Sequence, residues 1–286
     1  MTSAIGVDIG GTKITAARVD GTGRILDQRI LPTPADNGET FAAVDAVIAA
    51  LDDADVRAVG VGVPGRVDAK TGAVLSGGYV NLAHEPLSAR LRSVAGRPLA
   101  IDNDASMALV AEARIGAGRG ARDIVLVAIG TGIGGAAMND GRIVHGAACA
   151  GQFGHITVNY QGEPCACGRR GCFEAEAAGP ALARLARAAG FDAATTAEAL
   201  LADDRAPART VVERWAAALR AGVDSLIAAF DPERVVLGGG RGAAAVLALN
   251  RAPGASPWFQ RPVVAAELGD RAGVIGAALA ALDRAP

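Results

Sequence analysis

The pattern of apolar and polar positions predicts strands and helices in alternation along the chain. Ser3 to Asp20, SAIGVDIGGTKITAARVD, reads as strand, tight glycine turn and strand. Ile5 and Val7 are β-formers, and Ile14 and Thr15 resume after the turn. GRILDQRILPTP predicts a third strand with a proline stop. Apolar residues at helical spacing from Phe41 to Leu51 predict a helix, with Thr40 as candidate N-cap. VRAVGVGVPGRVD reads as a buried strand running into a loop, and PLSARLRSVAG as a short amphipathic helix ending at Gly96. In PLAIDNDASMALVAEARIGAG a strand leads through Asp102 to Asp104 into a helix that ends near Gly116.

RDIVLVAIGTGIGGAAMNDGRIVHG repeats the opening grammar. A buried strand from Ile124 to Ile129 meets a glycine-rich turn, Gly130 to Gly135, and a second strand follows; DGR then turns into IVH. Two copies of strand, glycine turn and strand predict an internally duplicated α/β architecture. Helices are expected at Ala181–Ala189, Ala197–Leu201 and Ala208–Phe230. DPERVVLGGG predicts a strand with a triple-glycine exit, and DRAGVIGAALAAL a closing helix of small residues. Boundaries are expected to be hinges, because no Ser/Gly linker or low-complexity run separates the parts.

Composition sharpens this picture. The chain has 286 residues, ample for a sizeable core, with 51% hydrophobic and 20% charged residues. Aromatics supply only 3%, so close packing of small aliphatic side chains must build the core. Net charge is −2, with no basic excess pointing to nucleic acid or an anionic membrane. MTSAIGVDIGG lacks the charged and apolar regions of a secretion signal, and apolar runs are broken before membrane-spanning length. A cytoplasmic protein is expected.

Four groups of residues carry candidate chemistry. In DIGGTK, Gly10 and Gly11 allow a tight turn with exposed N–H groups, while Thr12 and Lys13 add a hydroxyl and a cation: a phosphate cradle in outline, or a plain hairpin turn. Asp8 at the strand end is a candidate magnesium ligand, through water. Gly130, Thr131, Gly132 and Gly134 of GTGIGG offer a second backbone anion site at the same place in the second repeat. Gly238, Gly239 and Gly240 form a third glycine-rich exit, where bare backbone could pack against a flat base. DNDA, Asp102 to Ala105, reads either as a helix N-cap or as an acid–base site. Cys165, Cys167 and Cys172, with His155 ten residues earlier, make either a metal set or a disulfide with one thiol left over. Cys149 stands apart and reads as a small buried apolar residue.

The ordered set DIGGTK, DNDA, GTGIGG, GH…CACGRRGC and VVLGGG resembles the sugar kinases of the ROK (repressor, open reading frame, kinase) family, from Ile5 to about Leu282. The resemblance implies an actin/hexokinase-like α/β fold with duplicated ribonuclease H-like halves and ATP and sugar in a central cleft. The smaller domain would span 1–115 plus the closing helix, 272–286, and the larger 116–271. Hinges would lie near the ARIG and DRAGVIGAAL helices. DIGGTK and GTGIGG would hold the phosphates of Mg–ATP, and LGGG would border the adenosine. Asp104 matches the family's catalytic base, which accepts the sugar hydroxyl proton. Gly65, Asn81, Asn103, Gln152, His155 and Glu174 would contact the sugar or its loop. Arg66 and His84 are further candidates near it. Asp102 is assigned a structural part. His155, Cys165, Cys167 and Cys172 would bind a structural zinc, His155 adding a sugar contact through its other N–H.

Departures from the family pattern bear on substrate. Gln152 stands where many relatives carry Glu, replacing a negative charge by an amide donor. YVNLAHEPL lacks a tryptophan after Asn-Leu, and Gly240–Pro262 is short, which suggests a trimmed adenosine side. The expected activity is phosphoryl transfer from ATP to the 6-hydroxyl of glucose or a glucose-like sugar. The alternative acceptors are kanosamine, N-acetylglucosamine or N-acetylmannosamine. A sugar-responsive regulator would need a helix-turn-helix ahead of DIGGTK, which starts within the first ten residues. A homodimer is expected, with small-molecule partners only.

Overall fold

The computed structural model describes residues 2–77, 80–83, 85–192, 194–254 and 256–285, which fall into two units. The first comprises Met1–Gly120, His145–Ala150 and Asp270–Pro286, the second Ala121–Val144 and Gly151–Gly269. In the first unit β1 (Ser3–Ile9) and β2 (Lys13–Asp20) pair antiparallel, and β3 (Ile25–Pro32) continues the meander. Helix α1 (Asn37–Leu51) leads to β4 (Val56–Val63), a ribbon of β5 (Arg66–Asp68) and β6 (Ala73–Ser76), α2 (Leu87–Ala95), β7 (Leu99–Asn103) and α3 (Asp104–Ile115). The sheet order is β3-β2-β1-β4-β7, with β4 parallel to both β1 and β7.

The second unit repeats this plan. Strands β8 (Ile124–Ile129), β9 (Ile133–Asn139) and β10 (Arg142–Ile143) form the antiparallel part. Helices α4 (Phe173–Ala177), α5 (Gly179–Ala188), α6 (Ala197–Ala202) and α7 (Ala206–Phe230) precede β11 (Arg234–Gly238), α8 (Gly242–Asn250) and β12 (Val263–Ala265). The order β10-β9-β8-β11-β12 matches the first sheet strand for strand, and β11 is parallel to both its neighbours. Helix α9 (Ala272–Leu282) then returns to the first unit.

Each unit has its own core. Ile5, Val7, Phe41, Val59 and Leu91 anchor the first, and Val125, Phe173, Trp215 and Leu219 the second. Trp215 is fully buried and satisfies its one donor, Nε1–H, on the Ala177 carbonyl at 2.8 Å. The scarcity of aromatics is met by close backbone approach. A Cβ at Gly60 would lie 1.8 Å from the Ala277 carbonyl oxygen, and one at Gly6 1.9 Å from that of Val274, so α9 rests directly on β4 and β1. A Cβ at Gly276 would meet the Met107 oxygen at 1.7 Å, seating α9 equally tightly against α3.

Several local expectations are corrected. Helix α1 is capped by Asp36, not Thr40: the Asp36 carboxylate accepts from Glu39 N–H at 3.0 Å, and the helix starts a turn early. Thr40 is inside the helix, its hydroxyl donating to the Pro34 carbonyl. The second glycine turn covers Gly130 to Gly132 only; Gly134 and Gly135 lie in β9, where a Cβ at Gly135 would meet Phe153 at 2.3 Å. Gly240–Pro262 contains α8, whose sequence, GAAAVLALN, lacks the polar face that marks a helix. Cys149 is exposed, not buried: it sits in the loop His145–Ala150, beside Ala148 at φ 62°. That loop lies inside the stretch expected for the second domain. Hydrogen bonds from Arg66 Nε to the Ala148 carbonyl (3.0 Å) and between His145 and Asp102 (2.6 Å) tie it to the first unit.

Candidate active site and metal centre

In the first unit, the turn after β1 is closed by a Gly10 N–H bond to the Lys13 carbonyl (3.0 Å) and pinned by Thr33, whose hydroxyl donates to the Gly10 carbonyl at 2.7 Å. Thr33 N–H also bonds the Thr12 carbonyl. Lys13 Nζ reaches Asp270, just ahead of α9, at 2.6 Å. Gly11 and Thr12 are exposed at the tip of the turn. Asp8, the residue before the end of β1, lies against the first turn of α9, where a Cβ at Gly273 would lie 2.6 Å from its carboxylate.

Asp8 and Asp104 form an acidic pair. Burial, then the charge of Asp104, push the Asp8 carboxyl up to about 7, with Lys13 pulling the other way. Burial also raises Asp104, opposed by the Ala105 N–H and Asn103. Gly62 leaves room between them: its Cβ would stand 3.5 Å from Asp8 Oδ1 and 3.6 Å from the Asp104 Cα. DNDA is the helix N-cap its sequence allowed. Asn103 caps α3 by accepting from Ala105 N–H at 2.9 Å, and that cap fixes Asp104 as the first helical residue. Asn103 Nδ2 meanwhile donates to the Gly65 carbonyl at 2.8 Å. Gly65 holds φ 93°, and a Cβ there would strike the Ser76 carbonyl oxygen at 2.1 Å. Asp102 Oδ1 accepts from Asn103 N–H at 2.7 Å while Oδ2 meets His145 Nε2. That hydrogen bond raises the His145 pKa.

Asn81 is exposed; its Oδ1 accepts from Ala83 N–H at 3.2 Å and its carbonyl from Asn37. Arg66 is bound to Ala148 as described, and His84 lies outside the described residues.

In the second unit, Gly130 N–H bonds the Gly132 carbonyl at 2.9 Å, closing the turn after β8. The Gly130 carbonyl accepts from Gly179 N–H (2.8 Å) and Arg241 Nη1 (3.4 Å). Thr131 lies in that turn and is exposed. After β11, Gly239 holds φ 75°, its Cβ position only 2.6 Å from the Ile129 oxygen, while Gly240 has open space around it. Gln152 precedes a single 3-10 turn, Phe153–His155, and is half-buried. Glu174 lies in the first turn of α4, two residues beyond Cys172, and its Oε2 accepts from Ile133 N–H at 2.8 Å.

His155, Cys165, Cys167 and Cys172 converge with all four ligand atoms within 4.8 Å of one another. The cysteines are free thiols. Cys165 Sγ stands 3.7 Å from His155 Nδ1, and Cys167 Sγ 3.5 Å from Cys172 Sγ. Thiolates around a tetrahedral zinc with bonds of about 2.3 Å are about 3.8 Å apart, so the donor set and spacing fit that ion. The Arg169 backbone N–H and then its guanidinium hold Cys167 down at about 6, whereas burial pushes Cys172 up to about 12. Gly171, at φ 65°, makes the wrap possible, since a Cβ there would overlap the Asn159 carbonyl oxygen.

Comparison with known proteins agrees with these motifs. The ROK family model matches residues 4–284. The chain belongs to the ROK family. It is 34% identical to a glucokinase of Streptomyces coelicolor, with 96% of each protein covered, and 35% identical to an N-acetylmannosamine kinase of Citrobacter koseri, with 98% of each covered. The crystal structure of a ROK family glucokinase from Streptomyces griseus in complex with glucose and AMPPNP superposes with a TM-score of 0.82, at 34% identity over 98% of this chain and 99% of that one. The fold is accordingly the actin/hexokinase-like one, and this ROK chain is a sugar kinase.

Lys13's partner Asp270, Asp102's partner His145 and the Gly130 clamp Arg241 are site residues that sequence reasoning missed. Lys13 and Asp270 are 257 positions apart, and neither carries a local signal of the other. His145 alone left a trace, as one of three histidines in the chain.

Proposed function

We propose that the chain is an ATP-dependent hexose kinase that transfers the γ-phosphoryl group to the 6-hydroxyl of glucose or a glucose-like sugar. The observation that carries this reading is Asp104: a half-buried carboxylate of raised pKa, fixed at the start of α3 by a cap whose other end grips Gly65. A raised pKa makes it a better acceptor for the hydroxyl proton as the phosphoryl group leaves ATP. In the first unit Asn103 and Asn81 carry amide donors and acceptors of the kind sugar hydroxyls need; in the second, Gln152, His155 and Glu174 carry groups of the same kind. The turns Gly10–Lys13 and Gly130–Gly132 present backbone N–H groups and a cation to phosphates, and Gly238 to Gly240 leave bare backbone for the adenosine. Asp8 would hold magnesium through water, which supplies charge neutralisation at the phosphates. Replacing Asp104 by Ala is expected to lower kcat by about 10²–10⁴ with ATP and sugar binding still measurable; wild-type turnover in this variant would sink the assignment.

His155, Cys165, Cys167 and Cys172 would hold a structural zinc, with four protein ligands and no position for a reacting water. Metal analysis of the purified protein is expected to give one zinc per chain. A homodimer is the expected assembly.

Gln152 favours a second reading, an amino- or N-acyl-hexose 6-kinase, because an amide in place of a carboxylate changes what is offered to the sugar's 2- and 3-substituents. Steady-state kinetics on glucose, mannose, N-acetylglucosamine, N-acetylmannosamine and kanosamine separate the two. A wide margin in kcat/KM for glucose would exclude the second.

A further inference from the structure

Glu174 was expected to face the sugar, yet one of its two oxygens is committed elsewhere. Oε2 accepts the Ile133 N–H at 2.8 Å, at the point where the turn Gly130–Gly132 becomes β9. The neighbouring backbone is fitted to this contact. A Cβ at Gly154 would lie 2.2 Å from the Ile133 carbonyl oxygen and 3.3 Å from the Glu174 Cβ, so only glycine lets the loop carrying His155 pass between them. Glu174 itself is fixed in the first turn of α4, directly after Cys172, whose carbonyl starts that helix by accepting Glu176 N–H. The other carboxylate oxygen, Oε1, has no hydrogen-bond partner among the described residues.

We propose that Glu174 is a positioning residue for the phosphate donor: its Oε2 holds the Ile133 N–H and so fixes the Gly130–Gly132 turn in its anion-binding shape, while Oε1 serves the acceptor sugar. This rests on the kinase reading above and deepens it. Without the carboxylate, Ile133 N–H loses a charge-assisted acceptor, and the turn loses one of the bonds that hold its N–H groups in place before any phosphate arrives. Because one rigid carboxylate touches both binding regions, sugar on Oε1 and nucleotide at the turn each stiffen the group that the other uses. Their affinities are then linked, and linked reciprocally.

The test is calorimetric titration of Mg–AMPPNP into the full chain without sugar, for wild type, Glu174→Ala and Glu174→Gln. The alanine variant is expected to bind about tenfold or more weakly, and the glutamine variant, whose amide oxygen can still accept the Ile133 N–H, within about threefold of wild type. Equal nucleotide affinity in wild type and Glu174→Ala would leave Glu174 a sugar contact only and overturn the proposal. Equal loss in both variants would mark it as structural and overturn the proposal too. Hydrogen exchange at the Ile133 amide is a second readout that needs no ligand: protection should fall in Glu174→Ala and persist in Glu174→Gln, and unchanged protection in Glu174→Ala refutes the brace. A wild type that binds Mg–AMPPNP and phosphorylates a hexose, beside a normal alanine variant, would sink this proposal and leave the kinase reading standing. Absence of both in the wild type would sink the kinase reading, with the exchange experiment still deciding the brace.

Discussion

In the first unit the turn after β1 is pinned by Thr33 on the Gly10 and Thr12 carbonyls and carries at its rim an exposed ion pair, Lys13 with Asp270, the latter 84% exposed at its side chain. In the second unit the equivalent turn after β8 has its own carbonyl anchor, Gly179 N–H on Gly130, and in place of the ion pair a carboxylate, Glu174, on the Ile133 N–H. The two sheets have the same strand order, so the backbone template does not dictate the difference. Exposed ion pairs are worth about 0–1 kcal/mol, whereas hydrogen bonds to a charged group contribute about 1.5–3 kcal/mol. A duplicated fold has thus kept one geometry and divided its work: the acidic pair Asp8 and Asp104 belongs to the first unit, the thiol cluster and the carboxylate-held turn to the second.

The sharpest way to break this comparison is through glycine. Gly60 and Gly238 lie in the corresponding strands β4 and β11. A Cβ at Gly60 would sit 1.8 Å from the Ala277 oxygen, but one at Gly238 only touches Ala266 at 3.5 Å. Gly60→Ala should therefore cost about 4 kcal/mol by pushing α9 off the sheet, and Gly238→Ala about 1 kcal/mol or less. Urea unfolding of the two variants checks this, and similar losses would show that the two sheets are covered alike.

Titration provides the next test. The Asp8 carboxyl, raised from 3.8 to about 7, binds its proton more tightly in the folded chain than in the unfolded one. Its contribution is therefore present below about pH 4 and is lost as pH rises to about 7, a decrease on the order of 4 kcal/mol in this unit alone. Hydrogen exchange compared at pH 5 and pH 8, without nucleotide or magnesium, should show β1 amides losing protection relative to β8 amides. Asp8→Asn should reduce that difference, and an equal response of the two strands would contradict the assignment. The smallest effect is expected for Asp270→Asn, which removes the partner of Lys13: stability should change by less than about 1 kcal/mol in thermal unfolding. A loss as large as that of Gly60→Ala would mean the first turn is braced as firmly as the second.

Much of this was legible in the sequence. The β-branched runs around Ile5 and Ile124 gave both hairpins and their duplication, and DNDA gave the cap of α3, because a capping Asn at a strand end marks where the next helix starts. What escaped is long-range or featureless. Asp36 and Thr40 are both good caps four residues apart, and only the reach to Glu39 N–H chose between them. Helix α8 has small apolar residues on every side, so no periodicity marks it. Cys149 has the chemistry of a small core residue, but its place is set by a loop that Arg66 and Asp102 draw to the first unit. The dual engagement of Glu174 cannot be read from CFE alone, since its partner Ile133 lies 41 residues earlier.

The contact of α9 with β1 and β4 has a consequence for how the protein is made. The first unit is assembled from both ends of the described chain, and the core under Gly6 and Gly60 stays open until residues 272–282 have been synthesised. The second unit draws only on residues 121–269 and can close without waiting for residues 272–282. Synthesis therefore reverses the written order: the N-terminal sheet, begun first, is finished last, and the apolar face of β1 and β4 is the surface a chaperone would meet in the meantime.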